Sequence, residues 1–177
     1  MQMRTLTVAA TACAVLLASL MAAPSARAED VKAGDLVISQ PWARATPGGA
    51  KIGGGYMTIE NKGASPDRLI GGSADIADKV QLHEMTTVNG VMKMRPLEEG
   101  VTIEPGKTIK LAPGGIHLML FDLKGTLKQG DQVPVTLQFE KAGKANVTLD
   151  VQGVGAQGPA GAGNMDMKMH DHSGMKT

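Results

Sequence analysis

From Asp35 to Val151 the chain is a run of short apolar stretches, each cut off by Gly, Pro or Asn before it could complete a core-facing helix. Candidate strands are Leu36–Ser39, Gly55–Asn61, Arg68–Ser73, Val80–Met85, Val91–Arg95, Thr108–Leu111, Ile116–Leu123, Val133–Phe139 and Asn146–Val151. Between them stand Pro47-Gly48-Gly49, Asn61-Lys62-Gly63, Pro105-Gly106 and Pro113-Gly114-Gly115. Many short strands at this spacing predict an all-β sandwich or barrel. Asn89-Gly90 between two strands is a hairpin signal, because a two-residue turn there needs positive φ at both positions. Ala74–Asp78 offers one short turn at most.

Residues 1–28 read differently. Arg4 precedes an apolar stretch from about Val8 to Ala23, which ends in Ala26-Arg27-Ala28. Charge, apolar run and small-x-small is the order of a cleaved secretory signal peptide, shorter and more broken than a membrane span. The only cysteine, Cys13, leaves with it, and no Leu stands three residues before it to suggest lipid attachment. Export with no membrane span after cleavage is therefore expected, and the mature chain has neither thiol nor disulfide. Loss of Arg4 and Arg27 brings the 18 basic residues below the 17 acidic ones. A chain so close to neutral lacks the basic footprint that nucleic acid or an anionic membrane would require.

The domain division expected is 1–28 signal peptide, 29–152 sandwich, and 153–177 tail. Gly153 to Gly163 alternates Gly with small residues and reads as a flexible linker. Asn164 to Thr177, rich in Met and His, is expected to be disordered without a ligand.

Aromatic residues are scarce (Trp42, Tyr56, Phe121, Phe139), so the core must rest on Val, Ile, Leu and Met. Methionine is over-supplied, with 12 in the chain, and its placement carries the chemistry. His83 pairs with Met85 and His117 with Met119, each two residues apart, while His170 and His172 stand among Met165, Met167, Met169 and Met175. On a strand, residues i and i+2 share a face. Each His-x-Met pair then presents an imidazole and a thioether on one side, with Val80 and Leu82, or Leu118 and Leu120, on the other. Met92 and Met94 repeat the spacing. Met57 reads as core filling; Met92 fits either a ligand or packing, and packing is the preferred reading.

Thioether sulfur is a soft, uncharged donor that suits Cu(I) and competes poorly for Zn²⁺, Mg²⁺ or Ca²⁺. A His/Met set with no cysteine and no paired carboxylate points to Cu(I). A blue-copper electron-transfer site is excluded, because it needs a thiolate. The short His-rich tract in the tail is a compositional metal signal.

These residues resemble the periplasmic PCu(A)C copper chaperones, whose signature is His, ten residues, Met, about 21 more, then His-x-Met. Here ten residues separate His83 from Met94, and 22 separate Met94 from His117-Leu118-Met119. The spacing is one longer than the commonest form, and the Glu98–Gly115 loops can absorb the difference. Leu82-His83-Glu84-Met85 and Pro113 to Leu120 are also similar to this family, and the resemblance spans Leu36 to Val151. It implies a cupredoxin-like Greek-key β-sandwich that is not an enzyme and binds Cu(I) at an exposed edge. The primary Cu(I) ligands it implies are His83, Met94, His117 and Met119, with Met85 a substitute or neighbour. It further implies delivery of copper toward the binuclear copper centre of cytochrome c oxidase, with a Sco-type thiol protein as a further partner. Tail residues Met165, Met167, Met169, His170, His172 and Met175 would form a second copper site able to accept Cu(II), since His-x-His offers nitrogen donors. The alternative function is copper buffering or resistance without a dedicated recipient.

Overall fold

The structure is a computed structural model that describes residues 30–160. Its elements are β1 (Val31–Ala33), β2 (Leu36–Arg44), β3 (Ile52–Asn61), β4 (Asp67–Ser73), β5 (Lys79–Val88), β6 (Val91–Pro96), β7 (Val101–Ile103), β8 (Thr108–Leu111), β9 (Ile116–Phe121), β10 (Gln132–Phe139) and β11 (Lys144–Gln152). No α-helix occurs among the described residues, so the all-β expectation holds. Residues 1–28, the expected signal peptide with Cys13, and the Met/His tail lie outside the described residues. Within them, no helix is long and apolar enough to cross a membrane.

Hydrogen bonding runs β6-β5-β9-β3-β2 on one layer and β7-β4-β10-β11 on the other. Two seams join the layers. One is a single β4–β5 pair at Gly72 and Val80, and the other a three-residue parallel contact of β11 with β2. Strands distant in sequence become neighbours, β5 with β9 and β9 with β3, through the long crossovers of a Greek key.

Alternation fixes which face is inside. Leu118 and Leu120 of β9, Leu82 of β5, Ile59 of β3, Leu69 of β4 and Leu149 of β11 meet between the layers, almost wholly buried. Each such side chain contributes about 1.5–3 kcal/mol relative to exposure. Met57 joins this core at 1% exposure, as its sequence context suggests. The intervening residues of β5 and β9, including His83, Met85, His117 and Met119, are therefore forced onto the outer face.

The sequence reading missed two short strands, β1 and β7, because three residues carry too little periodicity to stand out. It also ended β2 too early. A register shift between Ser39 and Trp42, with Gln40 at φ 51°, lets the strand continue past Pro41 to Arg44. That bulge turns Trp42 onto Tyr56, their ring centroids 4.4 Å apart, while Ala43 points into the core. The Asn89-Gly90 hairpin is present with φ 53° and 76°, as a type I′ turn requires.

Candidate metal centre

Register, not sequence proximity, assembles the candidate site. On β5 and β9 His83 lies directly opposite His117, and Gln81 opposite Met119. On the other side of β5, Met85 lies opposite Met94 of β6. Strand β5 thus carries one ligand candidate toward each neighbour. On the reverse face of the hairpin, Arg95 makes two bonds to Glu84 Oε2, at 2.6 and 3.0 Å, which fasten the same register. The exposed pair adds about 0.2–1 kcal/mol.

Met85, Met94, His117 and Met119 line one cavity of about 400 Å³, together with Arg44, Tyr56, Gly54, Pro113 and Val154. Room for it depends on Gly54, which pairs with Met119 across β3 and β9. A Cβ at this glycine would stand 2.5 Å from the Tyr56 hydroxyl, so the ring could not lie along the strand as it does. Burial pushes the Tyr56 phenol above its ordinary range, partly opposed by the Arg44 guanidinium 6.0 Å from its ring centre. The phenol stays neutral beside the thioethers.

The two histidines are held differently. His117 is 5% exposed, and its Nδ1 lies 2.9 Å from the Gly115 carbonyl. A carbonyl only accepts, so Nδ1 carries a proton, and in the neutral ring Nε2 then keeps its lone pair, the tautomer a metal requires. His83 stands just outside the cavity lining, 6.3 Å from His117 and 5.5 Å from Phe121 between ring centroids. Both of its ring nitrogens are buried, and neither has a hydrogen-bond partner among the described residues. Burial, then the charges of His117 and Lys79, hold its imidazole below the ordinary histidine range. A buried, neutral imidazole with an unused lone pair fits a metal ligand. The donor set, thioethers and imidazoles, fits a soft ion in particular.

Every sequence-derived candidate in the domain is thus in or beside one cavity, Met85 as fully as Met94. Met92 is a correction: it is 67% exposed on the hairpin rather than packed. It pairs with Thr87 near the tip, beyond the reach of the core. The tail candidates Met165, Met167, Met169, His170, His172 and Met175 lie outside the described residues. Sequence reasoning overlooked Arg44, Tyr56 and Val154. Tyr56 and Trp42 could have been suspected as two of only four aromatics, but nothing marked Arg44. Nor is the start of the linker loose. Arg44 donates from Nε and Nη2 to the Ala156 carbonyl at 3.0 and 2.6 Å, which holds the chain across the cavity rim where Val154 lines it.

Residues 36–151 match the family described as "Putative lipoprotein LpqE-like". The chain belongs to this LpqE-like family. A relative named "Putative lipoprotein Lxx21020", from Leifsonia xyli, is 34% identical over 142 residues, spanning 80% of this chain and 81% of its own. Among solved structures, the apo PCuAC domain of PmoF2 superposes with TM-score 0.61 at 28% identity, covering 73% of this LpqE-like chain and 99% of that domain. Its copper-bound form gives 0.60 at 29% identity, covering 71% and 98%. The solution structure of CuI-DR1885 from Deinococcus radiodurans gives 0.50 at 32% identity, covering 63% and 74%. The LpqE-like sandwich is therefore the cupredoxin-like fold of PCuAC domains, as the sequence resemblance implies.

Proposed function

We propose that this LpqE-like chain is an exported, non-enzymatic copper(I) carrier. The observation that carries the reading is the cavity wall: two thioethers from the β5–β6 hairpin face an imidazole and a thioether from β9, with no carboxylate among the lining residues. Uncharged sulfur and nitrogen stabilise a soft monovalent ion and give little to hard divalent ones. The copper-bound PmoF2 domain and CuI-DR1885 support copper as the cargo. His83, Met94, His117 and Met119 are the ligands we assign, with Met85 able to replace one of them.

The work of such a site is exchange. His117 is pre-oriented by Gly115, whereas Met94 sits on an exposed strand, so an incoming ligand can replace the hairpin sulfur while the β9 pair holds on. Thiolate acceptors bind Cu(I) more tightly than neutral thioethers, so transfer runs downhill toward them. The recipient we propose is the binuclear copper centre of cytochrome c oxidase, with a Sco-type thiol protein as a further partner. The protein acts in the periplasm after cleavage following Ala28. The Met/His tail provides a second site that accepts Cu(II). Anaerobic titration of the mature chain with Cu(I), followed by X-ray absorption, tests the reading. One tightly held ion with mixed sulfur and nitrogen neighbours is expected, and failure to bind Cu(I) would sink the proposal.

A further inference from the structure

Strand β6 pairs only with β5, so along Val91–Pro96 one edge of the sheet is open among the described residues. All six of its residues are exposed. Six of the seven large apolar side chains exposed in the described residues border this edge or the adjoining cavity rim. An open edge flanked by apolar side chains invites another strand.

We propose that its occupant is the chain's own Met165–Lys168 segment, added as an antiparallel strand along β6. Three features of the protein argue for that occupant. The first is periodicity. Met165-Asp166-Met167-Lys168 alternates thioether with charge, as Met92-Lys93-Met94-Arg95 does. The second is charge. Arg95 is engaged by Glu84, while Lys93 makes no ion pair among the described residues. With Asp166 opposite Lys93, Met165 falls beside Met94 and Met167 beside Met92. Parallel pairing with the same Lys93–Asp166 match sets Lys168 against Arg95, and a second copy of β6 would bring Lys93 and Arg95 near their own kind. The third is the tether. Arg44 holds Ala156 at the rim of the cavity that Met94 lines, and the residues between Ala156 and Met165 can extend about 30 Å. The antiparallel register places the tail residue nearest the tether beside the β6 methionine nearest the cavity. A continuous row of thioethers then leads from the tail to the copper site.

The inference extends the reading of the tail as a copper-holding segment, and its test is run without copper so that the two can fail separately. Amide hydrogen exchange is measured by NMR on the full mature chain, metal-free and with chelator present. The β6 amides directed away from β5 should be protected. Lys93→Glu or Asp166→Lys should each speed their exchange about two- to fivefold, and the double variant should restore it. Met167→Pro, which removes a tail amide, should abolish the protection while leaving β9 unchanged. Exchange indifferent to every tail substitution overturns the proposal. Protection that grows with protein concentration overturns it in favour of a second copy. Rescue of Lys93→Glu by Asp171→Lys but not by Asp166→Lys overturns the register.

Discussion

Replacing His83 by Leu separates the copper role proposed for this residue from what it does for the fold. Its two ring nitrogens are buried without partners among the described residues, and a buried polar group in that state costs about 1–3 kcal/mol. Leucine fills similar space, keeps contact with the Phe121 ring and removes the unsatisfied atoms. Metal-free His83→Leu should therefore be more stable than the parent by about 1 kcal/mol near neutral pH, while its Cu(I) affinity falls. The pH dependence gives a second readout. The folded-state pKa of His83 lies below its unfolded value, so its neutral form is accommodated at high pH. As pH falls through the ordinary histidine pKa of about 6.5, the unfolded chain takes up a proton that the folded site resists. The stability contribution present above that pH is then lost, with a limiting slope of about 1.4 kcal/mol per pH unit. The gap between His83→Leu and the parent should widen on acidification. Urea unfolding of both metal-free proteins, extrapolated to water between about pH 5 and 8, measures it. A destabilised variant, or parallel pH curves, would refute the account of His83 as an unsatisfied imidazole waiting for a ligand.

His117→Ala and Met119→Ala should each weaken Cu(I) binding by about tenfold or more, roughly 1.4 kcal/mol, in competition with a cuprous chelator; unchanged affinity would remove them from the ligand set. Asp67 accepts from the backbone N–H groups of Arg68, Lys141 and Ala142. Burial would raise its pKa, yet those bonds and the Lys141 charge hold it low, so it stabilises the fold above the ordinary carboxylate range and that support is lost as acid protonates it. Asp67→Asn should cost about 1–3 kcal/mol at neutral pH and flatten the acid limb of the stability curve. Trp42 stacks on Tyr56, which lies 6.5 Å from His117, so copper loading should alter the tryptophan emission, and Trp42→Phe should abolish that signal. Mass spectrometry of the exported protein should find Glu29 at its N-terminus; a lipid-modified Cys13 would overturn the signal-peptide assignment.

Local rules made much of this legible in the sequence. His117 and Met119 had to share a face because Leu118 and Leu120 had to be buried, and Asn89-Gly90 could only close a tight hairpin. The hairpin in turn explains why Met85 meets Met94. The opposition of His83 and His117 was not readable from alternation, since it depends on a crossover that inserts β9 between β5 and β3. Resemblance supplied that grouping where periodicity could not. Arg44 escaped notice because a bulge at Gln40 reverses the facing of the end of β2, and a bulge leaves no trace in hydrophobic alternation. Met92 was misplaced because an apolar residue at strand spacing looks the same whether it fills a core or stands exposed on a hairpin.

The strands bearing the candidate ligands differ in how firmly they are built in. Strand β9 is bonded on both sides, by β5 and β3, and its inner residues are locked between the layers. Among the described residues, strand β6 leans on a single neighbour and buries nothing. A metal bridging them is gripped by a fixed jaw and a yielding one, so the bond to Met94 is the weakest link mechanically even if the sulfurs were chemically equal. Cargo would then be loaded and surrendered from the hairpin side, without any opening of the sandwich.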